Sequence, residues 1–407
     1  MNFLFAWRYF KAKKSTNAIN IISWISIVAI MVGAAALILV LSVFNGFEDL
    51  VKSLYSSFYP DMRIGAAAGK HLVLDEAQLA RIRSVKGVAA TTAVLEEKAL
   101  LQNGDYQSII TLKGVDENYS KVSGVAQHML RGSFDLGTAE APLLVLGAGV
   151  ENAVGVQSDR NLAPLLVHLP RRTAPDISNP LSAISADTVN TAGAFLIQQD
   201  FDNKYVLTRL SFMQQMMELA PGEFTALELA LQPGTDPKSA QLALEKILGA
   251  GYKVQTRYEQ NASLYAVMRA EKWVIYAILS LILVVAAFNM IGSLTMLVLE
   301  KKQDIQVLHA LGSDSRRIQG IFMSEGVLLA VIGGGTGILL ALGLALAQLK
   351  YKFIPLTGGS FLIDYFPVKL NPWDFALVTA TIFVIALVAS WIPARKAAKQ
   401  QYLIREE

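Results

Sequence analysis

Residues 15–47 read STNAINIISWISIVAIMVGAAALILVLSVFNGF and contain no Asp, Glu, Lys or Arg. About 20 apolar residues cross a bilayer as a helix, so this stretch is long enough to span. Arg8, Lys11, Lys13 and Lys14 precede it, as basic residues precede a secretory signal. The apolar core of a signal is much shorter, however, and Phe44-Asn-Gly-Phe47 is no small-residue cleavage site. The sequence therefore predicts an uncleaved first transmembrane helix.

Three more charge-free stretches follow, at residues 273–299, 326–349 and 375–394. The four together hold 104 of the 407 residues, so all 69 charges fall on the other 303, which are 23% charged. That remainder has an ordinary soluble composition, although the whole chain is 53% hydrophobic and only 17% charged. The next longest charge-free run is the 12 residues 188–199, so the division is bimodal. A soluble enzyme and a disordered or collagenous chain are excluded, and the absence of cysteine excludes a disulfide-stapled secreted module.

Lys and Arg counts set the orientation. Residues 1–14, 300–325 and 395–407 carry 12 basic residues in 53, whereas residues 48–272 carry 21 in 225 against 25 acidic ones. Both termini and the short loop are thus expected in the cytoplasm, with the large segment outside. Trp24, Trp273, Trp373 and Trp391 fall near span ends, where amphipathic rings settle. The expected fold is a membrane protein of four transmembrane α-helices with a large mixed α/β domain inserted between helices 1 and 2. In order, we expect an interfacial helix at 1–14, with Phe3, Trp7 and Phe10 set against Arg8 and Lys11. Span 1 at 15–47 leads to the external domain and its stalk at 48–272, then to span 2 at 273–299. A cytoplasmic helix at 300–325, span 3 at 326–349, a short outer loop at 350–374, span 4 at 375–394 and a tail at 395–407 complete the chain. Gly333-x-x-x-Gly337 and Ala29-x-x-x-Gly33 offer small-residue faces for close packing, within one chain or between two.

The external segment mixes helix and strand signals. Residues 75–84 and 236–248 read as short capped helices. Asn103-Gly104 between two apolar runs reads as a hairpin, and 143–146, 165–169, 225–231 and 252–257 read as strands. Residues 261–272 continue without a breaker into Trp273, as a stalk would. Pro170 to Pro180 holds three prolines and two arginines, Arg171 and Arg172, in eleven residues, so it is an exposed stiffened loop, a docking finger or a plain connection. Glu96-Glu97 reads as a solvated strand edge.

The cytoplasmic loop, Glu300-Lys-Lys-Gln-Asp-Ile-Gln-Val-Leu-His-Ala-Leu-Gly-Ser313, places Ile305, Leu308 and Leu311 on one face of a short helix that Gly312 ends. With Ile318, Phe322 and Glu325-Gly326 it resembles the coupling helix of FtsX/MacB-type ABC permeases. Trp7-Arg-Tyr-Phe, Ile22-Ser-Trp-Ile-Ser-Ile and Val40-Leu-Ser-Val-Phe-Asn-Gly-Phe-Glu48 resemble the LolC/LolE members, permeases of a lipoprotein-releasing transporter.

That resemblance implies a bacterial inner-membrane permease whose external domain is periplasmic and consists of two subdomains. It would pair with a second permease, itself or a paralogue, and with two LolD-like ATPase subunits that bind ATP and Mg. Asp304, Ile305, Leu308, His309, Ala310, Leu311 and Gly312 would couple to the ATPase. Leu41, Phe44, Phe47, Ile275, Tyr276 and Leu279 would line a cavity for lipoprotein acyl chains. Pro170, Arg171, Arg172, Thr173, Ala174 and Pro175 sit where the LolC-type members have a hook that holds a LolA-like carrier, and the resemblance leaves open whether this chain is of the LolC or the LolE type. The alternatives are a MacB-like efflux permease and an FtsX-like regulator of a cell-wall hydrolase. The chain has no G-x-x-x-x-G-K-[ST] loop and no H-E-x-x-H, so it is expected to be non-catalytic and to bind no cofactor itself. Its partners would include membrane lipid but no nucleic acid.

Overall fold

The computed structural model describes residues 17–160, 163–171, 183–220, 222–356 and 365–399, with side chains from Ile21 onward. The expected interfacial helix at 1–14, loop residues Arg172, Thr173, Ala174 and Pro175, and the tail beyond 399 lie outside the described residues. Four described helices are long and apolar enough to cross a membrane: Ile21–Phe58, Ala262–Glu300, Ser315–Tyr351 and Pro372–Ala398. The chain divides into two compact units, a helical one from the described parts of residues 1–50, 266–357 and 363–407, and an inserted domain from residues 51–265.

In the helical unit the four spans share one apolar core that runs from Ile27 and Leu41 through Leu283, Leu294, Phe322, Leu329, Ile382 and Ala389. Small residues set how closely the helices approach. A Cβ on Gly337 would stand 2.4 Å from the Met31 carbonyl oxygen, and one on Gly333 2.8 Å from that of Ile27. The Gly333-x-x-x-Gly337 face is therefore occupied by span 1 of the same chain. Gly33 likewise meets Leu283 of span 2, and Gly326 meets Ser390 of span 4.

The inserted domain carries twelve described strands: β1 Met62–Ala66, β2 Leu72–Val73, β3 Val88–Asn103, β4 Tyr106–Val115, β5 Met129–Gly132, β6 Leu143–Gly147, β7 Leu165–Pro170, β8 Ile184–Phe195, β9 Tyr205–Arg209, β10 Glu223–Phe224, β11 Ala226–Leu231 and β12 Tyr252–Thr256. Ten form a sheet of order β12-β1-β11-β3-β4-β9-β6-β8-β5, with β7 joining β3 to β8. That bridge closes β3, β4, β9, β6, β8 and β7 into a ring around one core, which includes Leu101, Leu112, Leu144, Val167 and Met213. A second core, with Met62, Ile64, Ile82, Leu227, Leu244 and Val254, lies between β12-β1-β11 and two helices, Glu76–Arg83 and Pro237–Leu248.

Local chemistry accounts for several of these elements. Asp75 and Gln78 form a reciprocal capping box at the start of Glu76–Arg83. Asp236 caps the backbone N–H groups of Lys238 and Ser239, and Pro237 follows at the first helical position. Gly104, at φ +56°, makes the turn between β3 and β4.

Candidate functional site: the helical unit and its two ends

Between spans 2 and 3 the chain forms a short helix, Lys302–Ala310, and restarts at Ser315. Gly312 adopts φ +83°, a conformation L side chains rarely take, so the break is built into the backbone. Ile305 is buried in the span core and Leu308 is half-buried. Val307 and Leu311 are 57% and 78% exposed. With Gln303 and Ala310, also exposed, they form a stripe at three- and four-residue spacing. Of Ile305, Leu308 and Leu311, which the periodicity sets on one face, the first is buried, the second half-buried and the third exposed, and the exposed apolar pair is Val307 and Leu311. A helix lying against a bundle must give one side to it, and Ile305 supplies that side. Asp304 and His309 are half-buried, and Asp304 pairs with Lys301 at 3.5 Å.

The six residues expected to line an acyl-chain cavity differ in burial. Leu41 is in the span core, with Tyr276 and Leu279 packed against that core. The Tyr276 hydroxyl hydrogen-bonds Thr381 Oγ1 on span 4. Phe44 and Ile275 are half-buried. Phe47 meets Phe366 edge-to-face at 5.8 Å. The open apolar groove between spans 1 and 2, about 690 Å³, lies nearer the N-terminal half of span 1, where Trp24, Val28 and Val32 face Ile282, Val285 and Asn289.

Where spans 1 and 2 adjoin the inserted domain in sequence, a buried polar cluster escaped the sequence reading. Asn45 Nδ2 donates to Asp374 Oδ2 at 2.6 Å, and Lys272 Nζ donates to Asn45 Oδ1 at 2.8 Å. Lys272 Nζ also lies 3.1 Å from Asp374 Oδ1. These residues open span 4, precede span 2 and end the apolar part of span 1. The neighbouring segment Phe366–Lys369 lies along span 1. Lys369 N–H donates to the Ser42 carbonyl at 2.9 Å, and the Pro367 carbonyl would stand 2.3 Å from a Cβ on Gly46. Gln348 of span 3, itself buried, donates from Nε2 to the carbonyls of Phe366 and Ile354, each at 3.2 Å.

The inserted domain holds its own buried charges. Strand register sets Glu96 of β3 opposite Lys113 of β4, and Arg63 of β1 opposite Glu228 of β11. Lys113 Nζ lies 2.7 Å from Glu228 and 3.3 Å from Glu96, and Arg63 bonds Glu96 at 3.0 Å. Glu96 is thus a half-buried partner of these cations rather than the solvated edge or turn expected, because its side of β3 faces them. Burial opposes its charge, but Lys113 and Arg63 prevail and hold the carboxyl at about 2. Burial is the largest influence and opposes the Lys113 charge, but Glu228, Tyr119 and Glu96 together raise the ammonium above its ordinary range. Burial raises Glu228, whose Oε2 makes no hydrogen bond among the described residues. The Lys113 ammonium also sits 5.1 Å from the Phe58 ring, which stacks on Phe201 at 4.4 Å and closes the first long helix.

Of the proline-rich loop, only its first residues are described: Pro170 ends β7, and Arg171 pairs with Glu218 at 3.3 Å.

Two family models match in succession along the chain. The MacB-like periplasmic core domain covers residues 23–162 and the FtsX-like permease C-terminal domain covers residues 276–402. The chain is 28% identical to the lipoprotein-releasing system transmembrane protein LolC of Neisseria meningitidis, over 97% of each chain. It is 24% identical to the LolE protein of Haemophilus influenzae, over 98% of this chain and 97% of that one. The crystal structure of the periplasmic region of MacB from Actinobacillus actinomycetemcomitans aligns with 53% of this chain and 98% of its own, at 11% identity and TM-score 0.36. Four spans, a mixed domain between the first and second, and similarity along both full lengths agree, and the chain is similar throughout to the LolC/LolE permeases, with MacB-like and FtsX-like regions in succession.

Proposed function

We propose that this chain is a permease subunit of an ABC transporter that releases lipoproteins from the bacterial inner membrane. The observation that carries the reading is end-to-end similarity to LolC and LolE, since a shared domain alone would fit any mechanically driven permease. The inserted domain is then periplasmic, and the basic flanks support a cytoplasmic side for both termini and the Lys302–Ala310 helix. No P-loop occurs in the sequence, so ATP and Mg belong to two LolD-like subunits, and the exposed Val307 and Leu311 supply an apolar contact for them. A second permease, identical or paralogous, completes the membrane part.

In this mechanism ATP-driven closure of the two ATPases displaces the short helix. Spans 1 and 2 carry the displacement, because both helices continue into the residues of the inserted domain, to Phe58 and from Ala262. Acyl chains lodge by hydrophobic burial beside the outer halves of these spans, with Phe44, Phe47 and Ile275 as half-buried contacts. The loop that begins at Pro170 and Arg171 receives the released lipoprotein's carrier, a LolA-like protein.

Depletion followed by membrane fractionation tests the reading. Lipoproteins retained in the inner membrane support it. Normal sorting with altered septation or drug sensitivity would instead favour a regulator or an efflux permease.

A further inference from the structure

The domain-side ends of all four spans are tied by one continuous set of polar contacts. It runs from Gln348 of span 3 to the Phe366 carbonyl, along residues 366–369 to Ser42 and Gly46 of span 1. From Asn45 it passes to Asp374 of span 4 and Lys272 of span 2. Asn45, Gln348 and Asp374 are all buried. Polar groups at a membrane boundary need no such enclosure, since water is at hand, whereas enclosed ones hold their partners in fixed geometry. Lys272 uses its donors on both Asn45 and Asp374, and Asn45 uses its two ends on different spans. None of the four side chains can be satisfied in this way if its neighbouring span moves away. Gly46 shows the same closeness in the backbone, where any side chain would meet the Pro367 carbonyl.

We propose that Asn45, Lys272, Asp374 and Gln348 form a clamp that makes these span ends move as one body, and that they are positioning residues for the release step. The proposal rests on the functional reading above. Without the clamp, displacement begun at the Lys302–Ala310 helix is spent in splaying the spans, so ATP is hydrolysed without release. The clamp stays closed through the cycle.

The test uses the complete transporter in proteoliposomes with a lipidated substrate, measuring ATP hydrolysis and release together. Lys272→Met and Asp374→Asn are each expected to keep hydrolysis within about two-fold while release falls roughly ten-fold. The exchange of the pair, Lys272→Asp with Asp374→Lys, is expected to restore release. Wild-type release in either single variant, or hydrolysis falling in step with release, would overturn the proposal. Asn45→Ala, which leaves the ion pair intact, gives the same reading if a charged variant fails to accumulate.

A second measurement is independent of transport. The sequence has no cysteine, so spin labels at Val40→Cys and Trp373→Cys, on labelled chain diluted with unlabelled permease, report the distance between spans 1 and 4. A narrow distance distribution that broadens with Asp374→Asn supports the clamp, and an unchanged width overturns it. If the wild-type transporter releases nothing while the label distribution broadens, the functional reading fails and the clamp stands.

Discussion

Ile305 and Leu311 belong to one short turn of chain between spans 2 and 3, yet Ile305 is 1% exposed and Leu311 78%. Ile305 fastens the segment to the span core, whereas Leu311 and Val307 are exposed and are the contact proposed for the ATPase. Replacing Val307 and Leu311 together by Asp is expected to leave the chain inserted and to lower ATP-driven release by roughly ten-fold or more, the scale of losing an interface anchor. Ile305→Asp puts a carboxylate into an apolar core and is expected instead to reduce the amount of inserted protein. Membrane-fraction immunoblots beside release assays separate the two outcomes, and equal release by the Val307/Leu311 variant would refute the contact.

Gly337 and Gly335 make a matched pair on span 3. A Cβ at 337 meets the Met31 carbonyl at 2.4 Å, whereas among the described residues nothing lies within 4 Å of one at 335. Gly337→Leu should destabilise the bundle by about 1–3 kcal/mol and lower its Tm in detergent. Gly335→Leu should leave Tm unchanged, and equal losses at both sites would contradict the seam with span 1.

Lys113 neutralises the buried Glu228 and the half-buried Glu96, so Lys113→Met strands both carboxylates. A loss of about 3–5 kcal/mol is expected, seen as faster amide exchange in β3 and β4. Adding Glu228→Leu to Lys113→Met should recover much of it. No recovery would show that the Lys113 stem, rather than its charge, supports the domain.

Acid should weaken the same domain. Glu96 is held at about 2, below its unfolded value, so its contribution is present above pH 4.5 and is lost as pH falls toward 2. That shift corresponds to roughly 3 kcal/mol. Thermal unfolding of the wild type should fall across this window, with a shallower fall for Glu96→Gln. Parallel profiles would remove Glu96 from the account.

The sequence reveals the spans because their chemistry is continuous: charge is absent for 20 residues or more at a time. It also reveals features with local causes, such as the Asp75 capping box and the Asn103-Gly104 turn. Features made by distant partners stay hidden. Glu96-Glu97 looks solvated until β11 brings Glu228 and β4 brings Lys113 to the same place. Lys272 and Asp374 stand just outside apolar runs, so they read as boundary markers rather than as partners of each other. On the short helix, Ile305 with Leu308 and Val307 with Leu311 are both apolar pairs, and only the bundle decides which one turns inward.

Release from a defined membrane tests the central claim most directly. The purified permease, with its partner subunits, is reconstituted with a lipidated protein, and the soluble fraction is assayed after ATP and a carrier are added. The account predicts lipidated protein in the soluble fraction only when ATP, carrier and this chain are all present. Hydrolysis with the lipidated protein still in the membrane, carrier present, would contradict it.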